Sequence, residues 1–208
     1  MKLYYSPGAC SLAPHSVLEE LGVPFELVKV NLHDGDQRKA EYLKINPKAK
    51  VPALGLSDGQ VLTENPAILS YLADTHPQAG LLAPVGELAR ARAQEWLAWC
   101  ASTVHTSFGM IFGAARLVEE PVGQEIFKKQ AMASTQKQLD AFDRGLDGKA
   151  YVMGERFTIA DAYTLVFYNW STRLGLRAGK AHRAQAARLR ERPAIARALA
   201  TEGITLQL

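Results

Sequence analysis

One of only two cysteines in the chain lies in the stretch SPGACSLAPH, Ser6 to His15, after a Pro-Gly turn and ahead of an apolar helical pattern. If a strand ends near Tyr5 and a helix begins near Leu12, Cys10 stands at a helix N-terminus. There, unpaired backbone N–H groups and the helix dipole favour a thiolate over a thiol. The alternative is a small core residue, because free cysteine is among the most buried residue types. Ser11 has two possible tasks, capping the helix or hydrogen-bonding a substrate sulfur. The fourth position of a Cys-x-x-Cys redox motif, where the second cysteine would stand, is occupied by Ala13. Disulfide exchange at Cys10 is therefore restricted to a single-thiol route, with a small-molecule thiol resolving the mixed disulfide.

Three more groups can do chemistry. Val51-Pro52 precedes an expected strand; a cis bond there turns the Val51 main chain outward for an extended peptide, whereas an ordinary edge proline does nothing of the kind. Glu64 and Asn65 open a helix, and the pair suits either a plain N-cap or the α-amine and α-carboxylate of an amino acid. His105 falls within a long helical pattern, with Ala98, Ala101, Gly109 and Phe112 at helical spacing around it. Small neighbours leave room for a ligand, and a histidine facing a cleft can tune or protonate a sulfur; the other reading is a satisfied structural histidine. Cys100 shares a different face with Leu97 and Val104, a core position.

The elements that must position these residues follow from periodicity. KLYY and FELVKV alternate as strands around a helical stretch from Leu12 to Leu21, a βαβ unit. HDGDQRKAEYLKINP reads as loop and short helix ending before Pro47. VPALGL and QVLT flank the turn SDG as a hairpin, and Asn65-Pro66 opens the helix AILSYLADTH with Asn as N-cap. After Pro77 the strand alternation stops. Residues 1–79 are thus expected to form an α/β domain, 80–86 a linker, and 87–208 an all-helical domain. The latter has helices from Glu87 to about Arg116 and from Val122 to Leu146, and a capping box Thr158–Asp161 opening AYTLVFYNW.

Bulk properties narrow the classes. The chain has 208 residues, 48% of them hydrophobic, enough for one or two packed domains without staples. Two cysteines and five scattered histidines offer no disulfide framework and no metal-ligand spacing. The N-terminus lacks a sustained apolar segment, and no stretch nears the ~18 apolar residues of a membrane span, so a cytoplasmic setting without membrane contact is expected. The net charge of +3 is too small to suggest nucleic acid, and the basic run Arg173 to Arg192 reads as a solvated helix face.

In combination these features resemble the glutathione S-transferase family, most closely its bacterial beta class. The resemblance rests on MKLYYSPGACSLAPH, NPKAKVPAL, LTENPAILSYLAD, LLAP, STVHTSF and ERFTIADAY, and so covers nearly the whole chain. It implies a thioredoxin-like N-terminal domain plus an all-α C-terminal domain, glutathione as co-substrate without a metal, and a homodimer. The implied activity is conjugation of glutathione to small hydrophobic electrophiles, a detoxification chemistry, with monothiol disulfide exchange through Cys10 as a second branch. A glutathione-dependent carrier of hydrophobic ligands is the rival reading. By the same resemblance, Cys10, Ser11 and His105 face the glutathione sulfur, Val51 and Pro52 hold the cysteinyl unit, and Glu64 and Asn65 hold the γ-glutamyl end. Ser102, Thr103 and Val104 fall in the segment that helps bind glutathione in relatives, in their own subunit or across the dimer interface. Phe108, Phe112, Arg116, Tyr163 and Tyr168 are expected around the electrophile, and Asp161 is a capping residue. Two departures stand out: Thr106 where relatives have lysine, and Ala98 where they have asparagine. The loop LHDGDQRKAEY is also a residue short, which leaves His33, Arg38 and Lys39 as candidates for the glycyl carboxylate.

Overall fold

A computed structural model describes residues 1–208. The chain opens with strand β1 (Lys2–Tyr5), helix α1 (Leu12–Leu21) and strand β2 (Glu26–Lys29), and β1 and β2 pair in parallel. Period-two alternation buries Leu3 and Tyr5, and α1, buried on all sides from Leu12 to Leu18, ends at Gly22 with φ 63°. That left-handed cap is a conformation glycine adopts at little cost. A 3-10 turn (Asp36–Arg38) and the short helix α2 (Ala40–Leu43) lead to the antiparallel hairpin β3 (Ala53–Gly55) and β4 (Val61–Thr63). The sheet order is β2-β1-β3-β4, with β3 antiparallel to β1. Helix α3 (Asn65–Asp74) covers the same face as α1.

Everything after the 3-10 turn Pro77–Ala79 is helical apart from an isolated bridge between Tyr151 and Gly154. The helix expected from Glu87 to Arg116 is two helices, α4 (Leu88–Trp99) and α5 (His105–Leu117), joined by one π turn, Cys100–Val104. Helix α6 spans Pro121–Leu146, followed by α7 (Ile159–Arg173), α8 (Lys180–Arg190) and α9 (Pro193–Thr201). Buried side chains run unbroken from Ile159 to Ser171, so α7 is the central helix of this part. Its first turn is set by Asp161, which accepts from Val152 N (2.7 Å), Thr158 N (2.8 Å), Thr158 Oγ1 (2.9 Å) and Gln185 Nε2 (2.8 Å). Burial pushes its carboxyl up to about 6 against the pull of those donors. No helix is long and apolar enough to cross a membrane.

The sheet and the helices share one apolar core, from Leu3, Leu54 and Ile68 through α1 to Phe108, Phe142 and Phe167. Polar ties cross the same junction. Glu202, just beyond α9, is buried and accepts from Gly8 N at 2.8 Å while its other oxygen lies 2.7 Å from His15 Nδ1. Arg192 clasps Glu20 through two bonds of 2.6 and 2.8 Å. Trp170 donates its indole N–H to Gly8 O at 2.8 Å.

Candidate active-site cleft

A cleft of about 520 Å³ opens between the β1–α1 turn and the π turn of the helical part. Its sheet-side wall is largely main chain. The Val51-Pro52 bond is cis, and the segment leading into it is held from behind: Tyr42 Oη and Asn46 Nδ2 both donate to Lys50 O at 2.7 Å. Cys10 is buried and its Sγ donates to Val51 O at 3.1 Å. Asn65 Nδ2 donates to Cys10 O at 3.0 Å, fixing the turn from the other side. Glu64 sits at φ 72°, in the left-handed region, and its exposed carboxylate meets Lys48 Nζ at 2.9 Å.

Burial pushes the Cys10 thiol up to about 12, with Glu64 adding to the rise and Lys50 opposing it. This corrects the thiolate expected from the helix start. The dipole is present, but α1 begins only at Leu12, and desolvation of a buried thiol outweighs half a dipole charge. Ser11 is corrected too. It neither caps α1 nor reaches the cleft; fully buried, its hydroxyl accepts from Ser6 N and donates to Ser6 O within the turn. Asn65 is the first residue of α3 and not its N-cap, a place taken by Glu64.

The helical wall is side chains. His105 Nδ1 lies 2.7 Å from Tyr163 Oη, and its ring packs edge-on against Trp170 at 5.0 Å. Burial holds His105 at about 4, with the Lys50 charge adding and Glu64 opposing, so the ring is neutral at pH 7. Burial raises the Tyr163 hydroxyl, which stays protonated and able to donate to Nδ1. With that donation the ring proton resides on Nε2, the nitrogen left for a ligand. Ala101, Gly109 and Phe112 line the cleft beside His105, as the helical spacing predicts.

Several expected site residues lie elsewhere. Val104 is fully buried on the core face of the π turn; the side chains of Ser102 and Thr103 lie outside the cleft lining and bond to each other at 3.3 Å. Phe108 and Tyr168 are fully enclosed, the former stacked on Phe167 and the latter donating to Gln207 O at 2.6 Å. Phe112, Arg116 and Tyr163 do line the cleft. Of the three residues considered for a carboxylate, His33 and Arg38 line an adjoining cavity, whereas Lys39 turns to the opposite side and pairs with Asp36 at 2.6 Å. Sequence reasoning missed Gln37, Lys50 and Trp170. Lys50 was recoverable as the cation beside Val51, and Gln37 as the polar residue between the two basic candidates. Gln37 Oε1 and Asn65 Oδ1 are buried acceptors without a partner in the chain, and both side chains belong to the cleft wall. No group of His, Cys, Asp and Glu is placed to hold a metal ion.

Residues 8–75 match the family model for the glutathione S-transferase N-terminal domain, and residues 105–196 match that for the C-terminal domain. The chain is 40% identical to glutathione S-transferase GstA of Escherichia coli O157:H7 over 98% of its own length and 100% of that protein's. Among solved structures, a sphingomonad glutathione S-transferase complexed with glutathione superposes with a TM-score of 0.87 at 40% identity, covering 99% of this chain and 100% of the other. A bacterial beta class glutathione S-transferase from Sphingomonas chungbukensis gives a TM-score of 0.87 at 38% identity over 99% and 100% of the two chains.

Proposed function

The chain belongs to the glutathione S-transferase family and is a glutathione transferase, and from that premise we propose that its cleft conjugates glutathione to small electrophiles, with Cys10 acting mainly as a neutral hydrogen-bond donor. In this reading residues 1–79 form the thioredoxin-like glutathione-binding domain, 80–86 the linker and 87–208 the helical domain. The cysteinyl unit of glutathione pairs with the outward main chain of Val51. The γ-glutamyl amine meets Glu64, and its carboxylate lies at the α3 N-terminus by Asn65. The glycyl end points the other way along the extended peptide, toward Gln37 and Arg38. Peptide N–H groups supply the donors that Gln37 Oε1 and Asn65 Oδ1 lack. In a homodimer the partner would add Ser102 and Thr103, two hydroxyls that lie outside the cleft of their own chain, to this site. A cytoplasmic location belongs to the same reading.

The observation that carries the mechanism is the Cys10 thiol, held protonated beside the place where the glutathione sulfur must lie. A thiol proton turned from Val51 O to that sulfur stabilises its thiolate. Lowering the glutathione pKa by two units requires about 3 kcal/mol of such preference, within reach of Cys10 S–H, His105 Nε2–H and the Lys50 charge together. The thiolate attacks the electrophilic carbon and the leaving group departs with its electron pair. Disulfide exchange by Cys10 is the minor branch, because a thiol near 12 is scarcely ionised at pH 7.

Alkylation by iodoacetamide at pH 7 tests this directly: Cys10 should react about a thousandfold more slowly than a free cysteine. Cys10→Ser, which keeps a donor, should conjugate within about threefold of the parent, and Cys10→Ala about tenfold more slowly. Both variants should lose exchange with glutathione mixed disulfides. Rapid alkylation, or equal conjugation losses in the two variants, would overturn the donor role.

A further inference from the structure

Beside the glutathione cleft lies a second cavity of about 600 Å³ that shares Ala9, Leu32, Gln37, Phe112, Arg116 and Trp170 with it. Its charge is one-sided. Arg38, Arg116 and Arg173 line it together with His33, and no aspartate or glutamate does. None of the three arginines forms an ion pair within the chain. Four other arginines of the basic C-terminal run behave differently: Arg177 pairs with Asp140, Arg190 with Glu191, Arg192 with Glu20, and Arg188 donates to Ala150 O. Arg173 is the member of that run turned toward the active site.

Its placement is specific. Arg173 Nη1 lies 2.8 Å from the point where a Cβ on Gly8 would stand, so the guanidinium rests on the turn two residues before Cys10, in space that only glycine leaves free. Arg116 folds back along α5 over Gly113, whose missing side chain leaves a 3.2 Å approach. Between the cations the walls are apolar and partly aromatic. Phe112, half exposed, meets Trp170 at 5.2 Å and 86°, flanked by Leu32, Pro7 and Leu174. Guanidinium forks match the oxygens of a carboxylate, and the ring walls match a flat organic body.

We propose that the electrophile taken by this transferase is an aromatic compound carrying a carboxylate, bound through Arg116 and Arg173 with its ring against Phe112 and Trp170. The inference rests on the transferase reading above, which assigns Arg38 to the glycyl carboxylate and leaves the two helical-domain arginines for the second substrate. The glutathione sulfur forms a bond to the ring carbon, the ring takes up the electron pair, and halide leaves with the electrons of the broken carbon–halogen bond. The thiol proton passes to solvent.

A matched pair of chloroarenes tests it: neutral 1-chloro-2,4-dinitrobenzene and anionic 4-chloro-3,5-dinitrobenzoate, with KM measured for the parent, Arg116→Gln, Arg173→Gln and Arg173→Lys. Each Gln variant should raise the benzoate-to-neutral KM ratio about tenfold, the size of one lost charged hydrogen bond, while Arg173→Lys keeps most of the parental ratio. Added salt should raise KM for the benzoate more than for the neutral arene. Ratios in both Gln variants equal to the parental one would overturn the proposal and leave the transferase reading intact. If neither arene is turned over, the transferase reading fails, and calorimetry with unreactive 3,5-dinitrobenzoate in the presence of S-methylglutathione decides the anion site. Binding weakened about tenfold by each Gln substitution supports it, and unchanged binding refutes it.

Discussion

The two walls of the cleft are built by opposite means. The sheet-side wall is main chain, that of Lys50, Val51 and Cys10, and side chains such as Tyr42, Asn46 and Asn65 hold it from behind. The helical wall offers side chains, those of His105, Phe112, Arg116 and Trp170, projecting from helices whose main chain is wholly engaged in itself. A main-chain wall reads any tripeptide backbone and tolerates little variation in shape. A side-chain wall can be respecified one residue at a time, which suits a surface that selects among electrophiles.

The largest expected effect falls where the walls meet. Trp170 packs on His105 and Phe112 yet donates to Gly8 O. Trp170→Ala should cost about 3–5 kcal/mol in urea denaturation. Trp170→Phe, which keeps the ring and loses the donor, should cost about 1–2 kcal/mol and speed Cys10 alkylation as the turn loosens. Unchanged alkylation in Trp170→Phe would show that the walls are independent.

Acid sharpens the contrast next. The helical part holds His105 and His182, both kept near 4 by burial, the unfolded value being about 6.5. Between those limits the unfolded chain binds protons that the folded one refuses, so stability falls as pH drops from 6.5 toward 4. Asp161, raised to about 6, has the opposite sign: folded, it binds a proton the unfolded chain lacks, and its stabilising contribution is lost as pH rises through 6. Two groups against one leave a net loss of roughly 1 kcal/mol between pH 6 and 5. Hydrogen exchange should place it in α7 and α8 before β1 to β4. Turnover should show no His105 titration from pH 6 to 8.

The smallest effect concerns the rim of the sheet-side wall. Lys48 and Glu64 form an exposed pair, and Lys48→Met should move the urea midpoint by the equivalent of less than about 0.5 kcal/mol. Its glutathione KM should change by less than about twofold if Glu64 keeps its place through the main chain.

How far the sequence discloses these walls follows the same division. The sheet-side wall is written in local signals: alternation in KLYY, the turn in SDG, proline after Val51, and the pair Glu64-Asn65 ahead of a helix. Each depends on neighbours in sequence, and each element formed within a residue or two of its expected place. His105 with Ala101, Gly109 and Phe112 was also readable, because α5 has one wet face. Helix α7 was read from its capping box, but not which of its residues meet the cleft, since it is buried on all sides and periodicity cannot tell Tyr163, which reaches His105, from Tyr168, which does not. The hydrogen bonding of Ser11 and the protonation of Cys10 were hidden for another reason. Local geometry favours a cap and a thiolate, but both side chains are buried, Ser11 against Ser6 and Cys10 against Val51, and that burial decides both.

Glu202 carries a consequence for biosynthesis. Its carboxylate holds Gly8 N and His15, so a bond in the turn before Cys10 depends on a residue 194 positions later. As the chain leaves the ribosome, β1 through α3 emerge well ahead of Glu202 and have the elements of a small domain, but the cysteine turn cannot reach its final form until residue 202 is available. A nascent chain stalled after α8 should therefore carry a folded sheet with an alkylatable Cys10. The same thiol would be closed to alkylation once Glu202, the residue after α9, has emerged and reached Gly8 and His15.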